Sequence, residues 1–240
     1  MIRGLYTSAS GMAAQMKAHD INANNLANTN TSGFKKDIPV FSPGREMNLS
    51  RLGGRMPTSN LNKPIPIGAM GSGVRTEEII TSHRQGQLRK TDRELDFAVE
   101  GKGFFVVETP EERMYTRKGE FTAGIDGYLQ TKDGHRVLGE NNLPLAAEDV
   151  EPEAFLLVNF PDAEIPEKIG DSLYFTEADE QIAGNEAEVR QGMLEEANIV
   201  PVSAMVDMIA GMRAYEANQK ALQAQDQNLD KTVNEIGRVR

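Results

Sequence analysis

Asp92, Glu94 and Asp96 are the side chains whose type and spacing come nearest to catalytic chemistry, because acid and base work is commonly done by paired carboxyl groups. Alternation along an extended strand puts all three on one face, opposite Leu95 and Phe97. That is the pattern of a solvated face, so no catalytic role is assigned. His19, His83 and His135 fall in a helical segment, a loop or strand edge, and a hairpin turn. They lack a metal-ligand spacing such as HExxH. Gly101-Lys102-Gly103 is too short for a phosphate loop and leads into a strand instead of opening a helix. No cysteine is present, which removes disulfides and thiolate metal sites. With no nucleophile, base and orienting acid in view, the expectation is no enzyme, no cofactor and no metal.

The apolar pattern says more. Ile2, Leu5, Ala9, Met12, Met16, His19, Ala23 and Leu26 step by alternating three and four residues, and so do Met205, Met208, Met212, Tyr215, Gln219, Leu222, Asp226, Leu229, Val233 and Ile236. This is the a/d seam of a coiled coil. His19 then reads as a polar seam residue, tolerated or register-setting. The first helix should start within the first few residues and end near Asn28, where Asn28-Thr29-Asn30-Thr31-Ser32-Gly33 supplies breaker chemistry. The second should open near Pro201, a residue suited to the first helical turn, and run to about Gly237. Such helices depend on burying their stripe. They either close one domain as a hairpin or pack against neighbouring subunits.

Between them the chain reads as strands and turns. From Asp37 to Gly73 closely spaced Pro and Gly residues erase any period, which predicts an extended arm or linker with short strands such as Ile65 to Ile67. Val74 to Ile80 alternates weakly. Leu95, Phe97 and Val99 alternate with Asp96, Ala98 and Glu100, and Phe104 to Val107 forms a short buried strand. Asp126-Gly127 and Asp133-Gly134 are hairpin signals between short apolar runs. Phe155 to Phe160 and Leu173 to Phe175 supply two more strands. The fold class expected is α+β: long N- and C-terminal helices pairing as a coiled-coil-like domain (1–36 and 192–240), an arm (37–74), and a mainly-β central domain (75–191).

Charge narrows the partners. The formal net charge is -10, and between Glu140 and Arg190 stand 14 acidic residues against two basic ones. Phosphate contacts need clustered Lys and Arg, so nucleic acid is not expected as a partner. There is no apolar run long enough to span a bilayer, hence no direct membrane insertion is expected. The opening residues lack the continuous apolar region of a cleaved secretory signal, so any export should proceed without one.

Specific motifs lie on these elements. Ala23 to Lys36 reads ANNLANTNTSGFKK, the opening reads MIRGLYTSASGM, and Gln191 to Asn218 reads QGMLEEANIVPVSAMVDMIAGMRAYEAN. Between them come LDFAVEGKGFFVV (Leu95 to Val107), YTRKGEF (Tyr115 to Phe121) and GYLQTKDGHRVLG (Gly127 to Gly139). In this order they resemble the flagellar rod, hook and hook-associated axial proteins, and within them the rod proteins of the FlgF and FlgG type.

The resemblance implies a structural subunit of the bacterial flagellar basal-body rod, in the cell envelope. It would be exported by the flagellar type III apparatus, polymerise helically with itself and other rod or hook subunits, and carry motor torque to the hook. The assembly interface would comprise Leu5, Met12, Met16, Asn24, Asn25, Leu26, Asn28, Gly33 and Phe34, with Met205, Met208, Met212, Arg213, Tyr215, Glu216, Asn218, Leu222 and Leu229. His19, Asn22 and Thr29 depart from the family pattern, and the stretch from Asn141 to Glu153 is short. Two alternatives stay open: a hook or hook-associated protein, and a ligand-binding or enzymatic domain closed by a helical hairpin.

Overall fold

A computed structural model describes residues 2–51, 65–110, 112–148, 150–160, 166–170, 172–176, 181–182 and 187–236. Gly53, Gly54, Pro57 and Pro64 of the expected arm lie outside the described residues, as do Gly237 and the side chains of Ile2 and Ile236. The architecture is α+β, with a helix at each end and a mainly-β region between. The chain divides into two units, one made of Met1–Asn24, Asp37–Ile80 and Val202–Arg240, the other of Asn25–Lys36 and Thr81–Pro201.

The first unit contains helix α1 (Ile2–Ala27), strands β1 (Asp37–Arg51) and β2 (Ile65–Thr81), and helix α2 (Pro201–Lys231). Strands β1 and β2 pair as a two-stranded ribbon. The expectation of an arm with short strands is therefore corrected: these are the longest strands described, 15 and 17 residues. Pro39 and Pro43 are tolerated because each strand of a ribbon has one unpaired side, where a missing N–H costs nothing. Ile38, Phe41, Met47, Ile67, Met70, Ile79 and Ile80 are exposed along it.

The helices turn a different face inward from the one that apolar spacing suggests. On α1 the buried residues of this unit are Ser8, Ala14, Ala18 and Ile21, whereas Ala9 and Met16 are exposed. On α2 the half-buried positions include Ala204, Met208, Gly211, Tyr215, Asn218, Leu222, Gln225 and Leu229. Met208, Tyr215, Leu222 and Leu229 belong to the expected stripe, but Met205, Met212, Gln219 and Asp226 give way to their N-terminal neighbours. The cause is close approach at glycine. A Cβ on Gly4 would stand 2.5 Å from the Gln225 side chain, one on Gly11 3.1 Å from Asn218, and one on Gly211 3.4 Å from Gln15. Ascending numbers on α1 meet descending numbers on α2, so these contacts run antiparallel.

The second unit is built from strands β3 (Leu88–Lys90), β4 (Phe97–Gly101), β5 (Phe104–Glu108), β6 (Arg113–Thr116), β7 (Phe121–Ala123), β8 (Leu129–Thr131), β9 (Arg136–Val137), β10 (Leu157–Asn159), β11 (Glu167–Gly170), β12 (Leu173–Phe175), β13 (Gln181–Ile182), β14 (Ala187–Gln191) and β15 (Met193–Glu195). The largest sheet runs β11-β12-β6-β5-β9-β8-β7, with β10 joining β5 to β13; β14 pairs with β4 and β15 with β3. The pairings are antiparallel. Gly127 (φ 77°) and Gly134 (φ 88°) take the left-handed turn positions that the two Asp-Gly signals predict.

Strand β5 explains how few aromatic residues suffice for a core. Its continuous FFVV run alternates between two faces. Phe105 and Val107 enter one cluster with Phe97, Phe121 and Phe155, while Phe104 and Val106 enter another with Tyr115, Phe160 and Tyr174. The Phe155 ring lies 4.6 Å from that of Phe97 and 5.2 Å from that of Phe105, within the range of favourable aromatic pairs.

The expected alternation around Asp96 is corrected here. Asp92 has φ 59°, so Asp92, Glu94 and Asp96 do not share one straight strand. Phe97, Ala98 and Val99 are all buried, and Asp96 is itself 1% exposed, with Arg93 Nη1 3.7 Å away. This carboxylate belongs to the interior, not to a solvated face.

Candidate assembly site

The motifs of the two chain ends meet the central motif at a buried ion cluster in the second unit. Lys35 Nζ lies 2.6 Å from Glu195 Oε1, and Arg117 Nη1 lies 3.4 Å from Glu195 Oε2. Lys35 and Glu195 are each 1% exposed and Arg117 is 4% exposed. Charges so far from water need full hydrogen bonding. Lys35 also donates to the Arg84 carbonyl at 2.9 Å, the Gly86 amide donates to Glu195 Oε1 at 2.7 Å, and Arg117 Nη2 donates to the Gly101 carbonyl at 2.7 Å. The Arg117 guanidinium also lies over the Phe104 ring, 5.1 Å from its centre. Two cations share one carboxylate.

Burial holds the Lys35 ammonium below the 10.5 of a free lysine, against the opposing pull of Glu195. Arg117 is lowered for the same first cause. For Lys35 the unfolded chain therefore binds more protons than the folded one between the lowered value and 10.5, so stability rises with pH through that window. The expected slope there is about 1.4 kcal/mol per pH unit at most. It should vanish in Lys35→Met, which urea titrations of both proteins across alkaline pH would measure.

Asn198 ties the same segments through neutral bonds. Its Oδ1 accepts from the Lys36 amide at 2.8 Å, and its Nδ2 donates to the carbonyls of Ser82 at 2.7 Å and Arg84 at 2.9 Å. Just before Lys35, Phe34 is buried beneath the Lys168 ammonium, 3.8 Å above its ring centre. Gly33 has φ 65° and its amide donates to the Glu195 carbonyl at 2.7 Å. A Cβ there would collide with the Arg117 backbone. Gly33→Ala is accordingly expected to cost at least about 1–2 kcal/mol, the penalty of a left-handed L-residue, before the collision is counted. A thermal melt within a degree of the parent would contradict this.

The expected site residues are distributed over both units. Asn25, Gly33 and Phe34 are buried, and Leu26 and Asn28 are half-buried. Thr29 Oγ1 donates to the Leu26 carbonyl at 2.9 Å, and Thr31 Oγ1 to Asn28 Oδ1 at 3.2 Å, which closes α1 with side-chain bonds. In the first unit, Leu5, Met12, Met208, Tyr215, Asn218, Leu222 and Leu229 are half-buried, while Met16, Met205, Met212, Arg213 and Glu216 are exposed; Asn24 is exposed as well. Met16, His19, Met212 and Tyr215 line one hollow of about 160 Å³ with Gln15, Asp20 and Gly211.

Sequence reasoning missed Lys35, Arg117, Glu195 and Asn198. Their signal was their presence inside the quoted motifs, but charged residues read as surface. His83 packs beside Phe104 and Tyr174, with ring centres 5.7 and 5.4 Å away. Among the described residues no three metal-ligating side chains stand together, and no helix is long and apolar enough to cross a membrane.

Family comparisons follow the same three-part layout. Residues 5–35 match the flagella basal body rod protein model, 98–169 the D1 domain of the flagellar hook protein FlgE/F/G model, and 190–235 the C-terminal model of the flagellar basal body rod FlgEFG proteins. The chain is 32% identical to the flagellar basal-body rod protein FlgG of Buchnera aphidicola subsp. Acyrthosiphon pisum, across 96% of this chain and 98% of that protein. It is likewise 32% identical to FlgG of Caulobacter vibrioides, over 96% and 98%. The flagellar hook-basal body complex protein FlhO of Bacillus subtilis is 29% identical over the full length of both. Matched nearly end to end by such relatives, and carrying the family's segments in order around one buried cluster, the chain belongs to the flagellar basal-body rod protein family of the FlgF/FlgG type.

Proposed function

We propose that this chain is a structural subunit of the bacterial flagellar basal-body rod, polymerising helically through its terminal helices to transmit torque to the hook. The observation that carries the reading is the exposed apolar surface of those helices. Tyr6 and Met16 on α1, with Val202, Met205, Val206, Ile209 and Met212 on α2, are all at least 50% exposed. Lone surface apolar residues are ordinary, but contiguous ones mark an interaction surface. The antiparallel contacts of Gly4, Gly11 and Gly211 support a coiled-coil-like pairing of the two helices, whose outer faces then meet neighbouring copies. A heterologous contact repeated by rotation and rise builds a filament.

In this account Leu5, Met12, Leu222 and Leu229 hold the helix pair. Met16, Met205, Met212, Arg213 and Glu216 face other subunits. Asn25, Gly33 and Phe34 set the end of α1 and the turn that follows it. Partners are further copies, other rod and hook subunits, and the flagellar type III export apparatus, with export in an unfolded state. The role is mechanical and not catalytic.

Limited proteolysis of the free chain and of its polymer tests this. Cleavage of the free chain is expected within the first 30 or so and last 40 or so residues before the β-rich unit, since α2 has no fully buried residue among those described. Polymerisation should suppress those cuts. Terminal segments as resistant in the free chain as the β-rich unit would count against assembly-coupled ordering.

A further inference from the structure

We propose that Met16, Met205 and Met212 form an oxidation-sensitive set through which a hydroperoxide controls whether the unassembled subunit can polymerise. The proposal rests on the assembly reading above. These three are the most exposed methionines described, at 56%, 50% and 51%. Met47 and Met70 of the β1–β2 ribbon follow at 37% and 39%. Met114, in contrast, packs against the aromatic core cluster.

Thioether oxidation follows access to the sulfur. The Met sulfur lone pair attacks one oxygen of the hydroperoxide, the O–O bond breaks, and a sulfoxide and water form when the peroxide is hydrogen peroxide. Sulfur loses two electrons and the peroxide gains them, so no other oxidant is required. The product exchanges a flexible apolar side chain for one with a strongly polar S=O group.

Position turns this chemistry into control. Met205 and Met212 are separated by two helical turns on α2, and Met16 shares the small hollow with Met212 and Tyr215. Methionine suits such a surface because it adapts to imperfect sockets. An S=O dipole there must be desolvated for a neighbouring helix to seat, a cost that the thioether does not carry. Oxidised subunits should fail to add. Subunits already in a polymer should be sheltered, since the same neighbour covers the sulfurs. Enzymatic reduction of the sulfoxides would restore competence, which makes the step a switch and not mere damage.

The experiment treats the full-length chain with hydrogen peroxide, maps each methionine by peptide mass spectrometry over time, and follows polymer yield by sedimentation. Circular dichroism monitors the helices, and methionine sulfoxide reductases reverse the modification. Met16, Met205 and Met212 should oxidise at least about fivefold faster than Met114. Polymer yield should fall by about tenfold with helicity retained, and recover on reduction. Uniform oxidation of all methionines overturns the assignment of these sites alone. Full polymer yield from chains oxidised at all three overturns the control. A chain that never polymerises, even untreated, overturns the assembly reading and the control with it.

Discussion

Replacing Glu195 with Ala is expected to destabilise the β-rich unit by about 3–5 kcal/mol, because removing one partner of a buried ion cluster leaves its other charges uncompensated. Here two are left. Lys35 and Arg117 would each keep a positive charge out of water, and the Gly86 amide would lose its acceptor. Lys35→Met should cost less than half as much, since Arg117 and Glu195 then remain as a neutral pair in which the carboxylate is still satisfied. Urea titration followed by circular dichroism measures both. An unchanged midpoint for Glu195→Ala would show that the meeting of the three motifs does not hold the unit together. Because Glu195 ties the Gly33–Lys35 segment to those of Gly86 and Arg117, the loss should also appear as faster hydrogen exchange at Gly33 and Gly86.

Leu222→Asp is expected to abolish polymerisation while the β-rich unit keeps its stability. Leu222 sits half-buried on α2 at a position shared by the apolar stripe and the face that the structure turns inward. A carboxylate placed there must be desolvated for the helix pair to close, at a cost of several kcal/mol, and the surface on which neighbours dock is lost with the pair. The second unit contains none of this helix beyond Pro201, so its unfolding transition should stay where it is in the parent. Leu26→Asp should likewise block assembly, but Leu26 belongs to the second unit, so that variant separates the two effects less cleanly. Normal filaments of Leu222→Asp in electron micrographs would contradict the helical interface.

The limits of the helices were legible because their stop and start signals are chemical. The Asn-rich stretch and Gly33 end α1 at Ala27, and Pro201 opens α2. The Asp-Gly hairpins were legible for the same reason, since their glycines adopt the positive φ that the turn requires. The inward faces of the helices were not. Apolar spacing rewards Met and Leu, while the contact uses Gly4, Gly11 and Gly211, which carry almost no hydrophobic signal.

Strands β1 and β2 were hidden by proline and glycine, which a two-stranded ribbon tolerates and a larger sheet would not. Strands β14 and β15 follow a strongly acidic stretch and are too short to show a period. They nevertheless bring Glu195 to Lys35 and Arg117. Such a cluster is invisible to pattern reading because each member, taken alone, looks like a solvated charge. The motifs marked those residues as belonging to a family signature, and the structure supplies the physical reason for three of them.

Cryo-electron microscopy of the polymer formed by the purified chain tests the central claim most directly. A helical tube is expected in which α1 and α2 line the inside and Met205 and Met212 are covered by a neighbouring copy. A polymer with its terminal helices outermost and that face still open to solvent would contradict the account.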